Sequence, residues 1–202
     1  MLSQKLYAVI GIFEIIFRNS IDRHFVKSKG QNWLADAAQP GGFLDAEGCE
    51  HSLHSIQQAI NKLGSKYTYD RLIAQLSFGF WVYQVSKKEF AASGSSLLEI
   101  FPDRPFGTRQ KDIFQRLIKI NEIRNRIAHY EPICFDPTSG AISTALAIDR
   151  YYTILQLLSW LGCSSKKILY GLDGVVSAID ALEAFVSQHG VPRLKPGSFI
   201  YR

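Results

Sequence analysis

Apolar residues recur every three or four positions along most of this chain. Leu2, Leu6, Val9, Ile10, Phe13, Phe17, Ile21 and Phe25 outline one long amphipathic helix over about residues 3–27. That step keeps side chains on one face of a 3.6-residue turn. Ser3 is placed to cap it. The stretch KSKGQNWLADAAQPGGFLD, residues 27–45, reads as a loop punctuated by Gly30 and Pro40-Gly41-Gly42. Trp33 and Leu34 are the residues in it expected to return to the core. A second helix is predicted over 45–63, with Cys49, Leu53, Ile56, Ile60 and Leu63 inward and Gly64 ending it. Thr68 caps a third over 69–86, with Leu72, Ile73, Leu76, Phe80 and Tyr83 inward.

ASGSS then opens a turn, LLEIF a short helix and PDRPFG a loop. Thr108 is expected to cap a helix over 109–130 whose core stripe is Ile113, Leu117, Ile120 and Ile127. EPICFDPTSGA is a loop, and STALAIDRYYTILQLLSWLG a strongly apolar sixth helix. A seventh helical segment follows, SKKILYGLDGVVSAIDALEAFVSQHG, broken near Gly171 to Gly174. No segment alternates as a strand does. The expected fold is all-α: one helical bundle over residues 1–190, elaborated at its C-terminal side, with an irregular tail over 191–202.

Composition agrees with a soluble globular chain. Of 202 residues, 47% are hydrophobic and 20% charged, ordinary proportions for one domain. The absence of a repeat period argues against a solenoid. The apolar N-terminus is neither a convincing signal peptide nor a membrane span, because Glu14, Arg18 and Asp22 interrupt it. Three widely spaced cysteines, Cys49, Cys134 and Cys163, argue against a disulfide framework. The expected location is the cytoplasm.

Charge changes the picture more. The net charge is +5. Between residues 104 and 126 there are seven basic residues against two acidic ones, and between 1 and 30 five against two. A polyanionic partner is favoured over a small neutral one. A solvated basic face with no partner fits the same counts.

Both basic segments carry an Arg-Asn pair followed by a histidine: FRNSIDRHF at residues 17–25 and IRNRIAHYEP at 123–132. On a helix, Asn125 and His129 lie about 40° apart and share a face. Arg124 is about 140° from His129, yet its long side chain can swing beside that face. Glu122 is placed to pair with Arg126, and Glu14 with Arg18, each four residues apart. That leaves Arg124, Asn125 and His129 available. A histidine titrating near pH 6.5 can take a proton from a ribose 2′-hydroxyl or give one to a leaving 5′-oxygen. Arginine can hold a phosphate and stabilise its developing charge, and asparagine can orient either group. One histidine lacks an acid–base partner, which a second chain or His24 could supply. The spacing alone favours a buried polar network tying helices together over a site.

IRNRIAHYEPI resembles the Arg-x4–6-His motif of the HEPN superfamily. Together with EIIFRNSIDRHF and LSFGFWVYQV it resembles the Abi-like (abortive-infection) family of bacterial phage-defence proteins, over roughly residues 10–135. The resemblance implies a HEPN-like helical bundle, commonly a homodimer, with two motifs facing across a cleft. It implies metal-independent RNA cleavage without a cofactor, in the bacterial cytoplasm, and a possible antitoxin or non-coding RNA partner. Carried over, the catalytic residues are Arg124, Asn125 and His129. Glu14, Arg18 and Asn19 match the N-terminal signature and, with His24, form a candidate second wall that binds RNA. The contrasting expectation is a non-catalytic HEPN module that binds RNA or a protein as antitoxin or scaffold.

Three other candidates carry less. Cys49, His51 and His54 in CEHSLH resemble a metal cluster, but only the two histidines approach one helix face. Cys134 lies five residues past His129 with no evident orienting group. Trp81 and Tyr83 in FGFWVY suit base stacking, though aromatics at helical spacing more often fill a core.

Overall fold

A computed structural model describes residues 1–136 and 139–189. Among them the fold is all-α, with no strand and a single antiparallel bridge between Phe135 and Ile142. The expected C-terminal tail lies outside the described residues. Ten α-helices follow one another: α1 Leu2–Lys29, α2 Trp33–Ala37, α3 Glu50–Leu63, α4 Tyr69–Gln75, α5 Phe78–Tyr83, α6 Lys87–Ala92, α7 Gln110–Ala128, α8 Ala145–Trp160, α9 Ser165–Ile168 and α10 Val175–His189. Short 3-10 turns occupy Phe43–Asp45, Gly64–Lys66 and Leu97–Ile100.

The chain divides into two compact units, whose boundaries fall inside α1 and α7 and at the end of α8. One contains Glu14–Asn121 with Trp160–Gly162. The other contains Met1–Phe13, Glu122–Ser159 and the described residues from Cys163 on.

The Glu14–Asn121 unit is built on aromatics. Phe17, Ile21 and Phe25 of α1 are fully buried. Phe17 meets Phe78 edge-on at 6.4 Å and Phe101 at 6.2 Å. Trp33 packs against Phe25 at 4.6 Å, Phe43 at 6.3 Å and Trp81 at 6.4 Å. The stretch expected to be a loop is therefore partly helical, and it plugs the core as expected through Trp33 and Leu34. The Trp33 indole N–H donates to Asp22 at 2.9 Å, and the Tyr69 hydroxyl donates to the same carboxylate oxygen at 2.6 Å. Burial, then this bond to Asp22, pushes the Tyr69 hydroxyl well above its ordinary value. A buried carboxylate, Glu89, accepts from Ser52 at 2.8 Å and from Ser86. Ser86 precedes α6 and Glu89 is its third residue, but the two meet side chain to side chain and the serine caps no backbone N–H.

The helix predicted over 69–86 is broken. Leu76 turns to extended backbone, and Ser77 starts α5 by accepting from the Phe80 N–H at 3.3 Å. A serine whose hydroxyl can cap a new helix competes with continuing the old one. The break lets Phe78, Phe80, Trp81 and Val82 all be buried, which one straight amphipathic helix does not permit. Helix α1 begins at Leu2, so Ser3 lies within it and not at its cap.

In the other unit, Leu6, Val9, Ile10 and Phe13 of α1 are buried, as are Ile154, Leu157 and Leu158 of α8 and Val175 and Ile179 of α10. The Tyr151 hydroxyl donates to Asp173 in the turn before α10. The break expected near Gly171 to Gly174 is present: Gly171 has φ +75°, and a side chain at Gly174 would crowd Lys5 at 3.2 Å.

Candidate active site

The end of α7 carries Arg124 and Asn125, and His129 follows directly after its last residue, Ala128. Ile123, just before Arg124, is buried, which points the opposite face outward. Asn125 and His129 are exposed and Arg124 is half-buried. Arg124 Nη1 donates to Asn125 Oδ1 at 3.4 Å.

The helix then reverses through a double bond pattern. The Tyr130 N–H donates to the Ile127 carbonyl at 3.1 Å, and the Glu131 N–H to the Arg126 carbonyl at 2.8 Å. Tyr130 sits in the left-handed region at φ +59°. This is a Schellman ending with tyrosine where glycine is usual.

The expected Glu122–Arg126 pair is replaced by another. Arg126 Nε lies 3.5 Å from Glu131 Oε2, and its Nη2 donates to the Pro132 carbonyl at 2.6 Å. The chain reversal carries Glu131 and Pro132 back over the Arg126 side chain, while Glu122 stays exposed. Both contacts brace the turn that holds His129.

The N-terminal Arg-Asn stretch lies in the other unit from Arg124 and His129. It repeats the local contact: Arg18 Nε donates to Asn19 Oδ1 at 3.3 Å. Glu14 and Arg18 are half-buried and Asn19 is exposed. His24 differs from His129. Its side chain is only 12% exposed, and Nε2 is 2.8 Å from Ser96 Oγ. Glu99 approaches Nδ1 at 4.0 Å, too far for a hydrogen bond. Burial lowers the His24 pKa below 6.5, opposed by the nearby Glu99 carboxylate.

A lowered histidine pKa means that folding favours the neutral ring. Its contribution to stability is present above pH 6.5 and is lost as pH falls through the depressed folded value. His24→Gln is therefore expected to flatten the fall in melting temperature between pH 7 and 5. Parallel slopes for variant and wild type would remove His24 from the acid limb.

The basic charge is less available than its count suggests. Arg104 donates to the Leu98 and Phe101 carbonyls. The Arg116 guanidinium lies over the Trp160 ring at 5.2 Å, whereas Arg109, 3.7 Å from Asp112, stays 81% exposed. Arg126 is held as described. Lys111 and Lys119 stand exposed on α7.

The other candidates resolve simply. Among the described residues, no group of three His, Cys, Asp or Glu is arranged to hold a metal ion. His54 is 2.8 Å from the Gln58 amide, and Cys49 is buried. Burial raises the Cys134 thiol pKa, the opposite of what a nucleophilic thiolate needs. Trp81 is fully buried and so offers no face for base stacking, whereas Tyr83 packs edge-on against His51 and Phe114 and is 39% exposed. No described helix is long and apolar enough to cross a membrane.

Protein-family models, curated proteins and solved structures contain no match to this chain. The geometry must therefore carry the functional reading by itself. Sequence reasoning did not single out Tyr130. Its position between His129 and Pro132 hints at a helix end, but only the backbone angle shows that it is held in a costly conformation.

Proposed function

We propose that this protein is a metal-independent endoribonuclease of the HEPN type, acting in the bacterial cytoplasm in abortive-infection defence. The observation that carries the reading is the exposed His129 on a braced helix end, with Asn125 one turn before it and Arg124 bonded to Asn125. His129 removes the proton from a ribose 2′-hydroxyl as that oxygen attacks the adjacent phosphorus. Arg124 stabilises the charge that builds on the phosphoryl oxygens, and Asn125 orients Arg124. The departing 5′-oxygen takes a proton from a second acid, His129 of another copy in a homodimer. The products are a 2′,3′-cyclic phosphate and a 5′-hydroxyl. Glu14, Arg18 and Asn19 are assigned to RNA binding in the same reading.

Product chemistry tests it. Wild-type protein with total RNA in EDTA is expected to leave 2′,3′-cyclic phosphate ends, and His129→Ala to leave none. Cleavage abolished by EDTA moves the activity to a metal enzyme. RNA bound equally by both proteins and cut by neither makes the chain a non-catalytic binding module, and the nuclease reading fails.

A further inference from the structure

Tyr130 is 97% exposed and adopts φ +59°. Glycine occupies that conformation freely, whereas a side chain there costs about 1 kcal/mol or more. Burial returns nothing for a ring left in water. Four contacts nevertheless hold the turn: Tyr130 and Glu131 N–H on the Ile127 and Arg126 carbonyls, and Arg126 on Glu131 and the Pro132 carbonyl. Strained backbone persists where its surroundings over-determine it, and such positions cluster at functional sites. The ring follows His129 directly in the chain.

Its neighbours decide what the ring suits. Its chain neighbours are His129, which is exposed, and Glu131, which is half-buried; Asn125, one turn earlier, is also exposed. A single exposed ring flanked in the chain by polar residues is a poor centre for a protein interface, which needs a contiguous apolar core. It is a good face for a nucleobase, because stacking needs one flat π-surface and tolerates any base.

We propose that Tyr130 is a stacking platform for an unpaired base beside the phosphate handled by His129. The inference rests on the nuclease reading for its ligand. Bases within a duplex are already stacked on each other and offer the ring no free face.

The test uses a 2′-O-methyl oligonucleotide, which lacks the attacking hydroxyl and so cannot be cut, carrying 2-aminopurine. Wild-type protein is expected to bind the single strand and quench its fluorescence. Tyr130→Ala and Tyr130→Gly are expected to weaken that binding roughly 5- to 100-fold and to abolish quenching. Tyr130→Phe should retain both within about twofold, since it keeps the ring. The Gly variant relieves the backbone, so its loss is due to the ring alone. Equal binding by wild type, Ala and Gly overturns the platform, as does failure of the wild type to bind the single strand. Sedimentation showing that Tyr130→Ala splits a wild-type dimer assigns the ring to a second copy, and the proposal falls. The nuclease reading is judged separately by product ends. Binding that depends on Tyr130 without any cleavage removes the nuclease and leaves the platform standing.

Discussion

Replacing His129 with alanine is expected to slow metal-free RNA cleavage by roughly 10²–10⁴-fold, the usual contribution of a positioned acid or base. The melting temperature should stay within about 2 °C, because exposed surface substitutions rarely exceed about 0.5 kcal/mol. The structural grounds are specific. The His129 side chain is exposed, and its backbone N–H bond to the Asn125 carbonyl at 3.0 Å survives in alanine. The brace at Arg126, Glu131 and Pro132 does not involve the imidazole. Chemistry and folding therefore separate at this position, as they do not at His24, whose ring is enclosed against Ser96. Single-turnover cleavage of an end-labelled single strand in EDTA, run beside a melting curve, measures both quantities. Unchanged cleavage in the variant would falsify the catalytic role. A melting temperature lowered by several degrees alongside the lost activity would make His129 a structural residue.

Much of the helical framework was legible because burial enforces periodicity. The α1 stripe from Leu2 to Phe25 is buried at every named position, as a 3.6-residue period requires. What the period could not show was where a helix stops for local reasons. Ser77 ends one continuous apolar pattern and begins another, since its hydroxyl offers the Phe80 N–H a cap. The helix expected at 45–63 starts only at Glu50 for a similar reason: Gly48 has φ +87°, a turn that apolar spacing does not register.

At the candidate site the limits are of another kind. That Asn125 and His129 share a face followed from helix geometry; that the face is exposed did not. The partner of Arg126 did not, because i,i+4 spacing counts only contacts within the helix and Glu131 returns from beyond its end. Tyr130 was invisible for the same reason. Net charge also misled in degree: Arg104, Arg116 and Arg126 are half-buried and held by carbonyls, an aromatic ring or a carboxylate. A charge count cannot distinguish such groups from Lys111 and Lys119, which remain open to solvent.

Trp33→Ala is expected to be the most damaging single change to folding, at about 3–5 kcal/mol. Domains of this kind hold only about 5–15 kcal/mol in total. Trp33 is 1% exposed and joins elements distant in sequence: Phe25 of α1, Phe43 of the following 3-10 turn and Trp81 of α5. Truncation leaves a void among rings that cannot all move to fill it. It also removes one of the two donors to Asp22 Oδ1, leaving the Tyr69 hydroxyl alone there. In urea the unfolding midpoint should fall by roughly 1–3 M. Trp33→Phe separates the two losses: it keeps an aromatic ring but not the N–H, and is expected to cost about 1–3 kcal/mol. Tyr67→Ala, at a 39%-exposed ring in the same unit, serves as the control. A midpoint for Trp33→Ala no lower than that of Tyr67→Ala would mean that residues 33–45 drape over the core without completing it. The aromatic cluster predicts the opposite, because Trp33 touches Phe25, Phe43 and Trp81 at once.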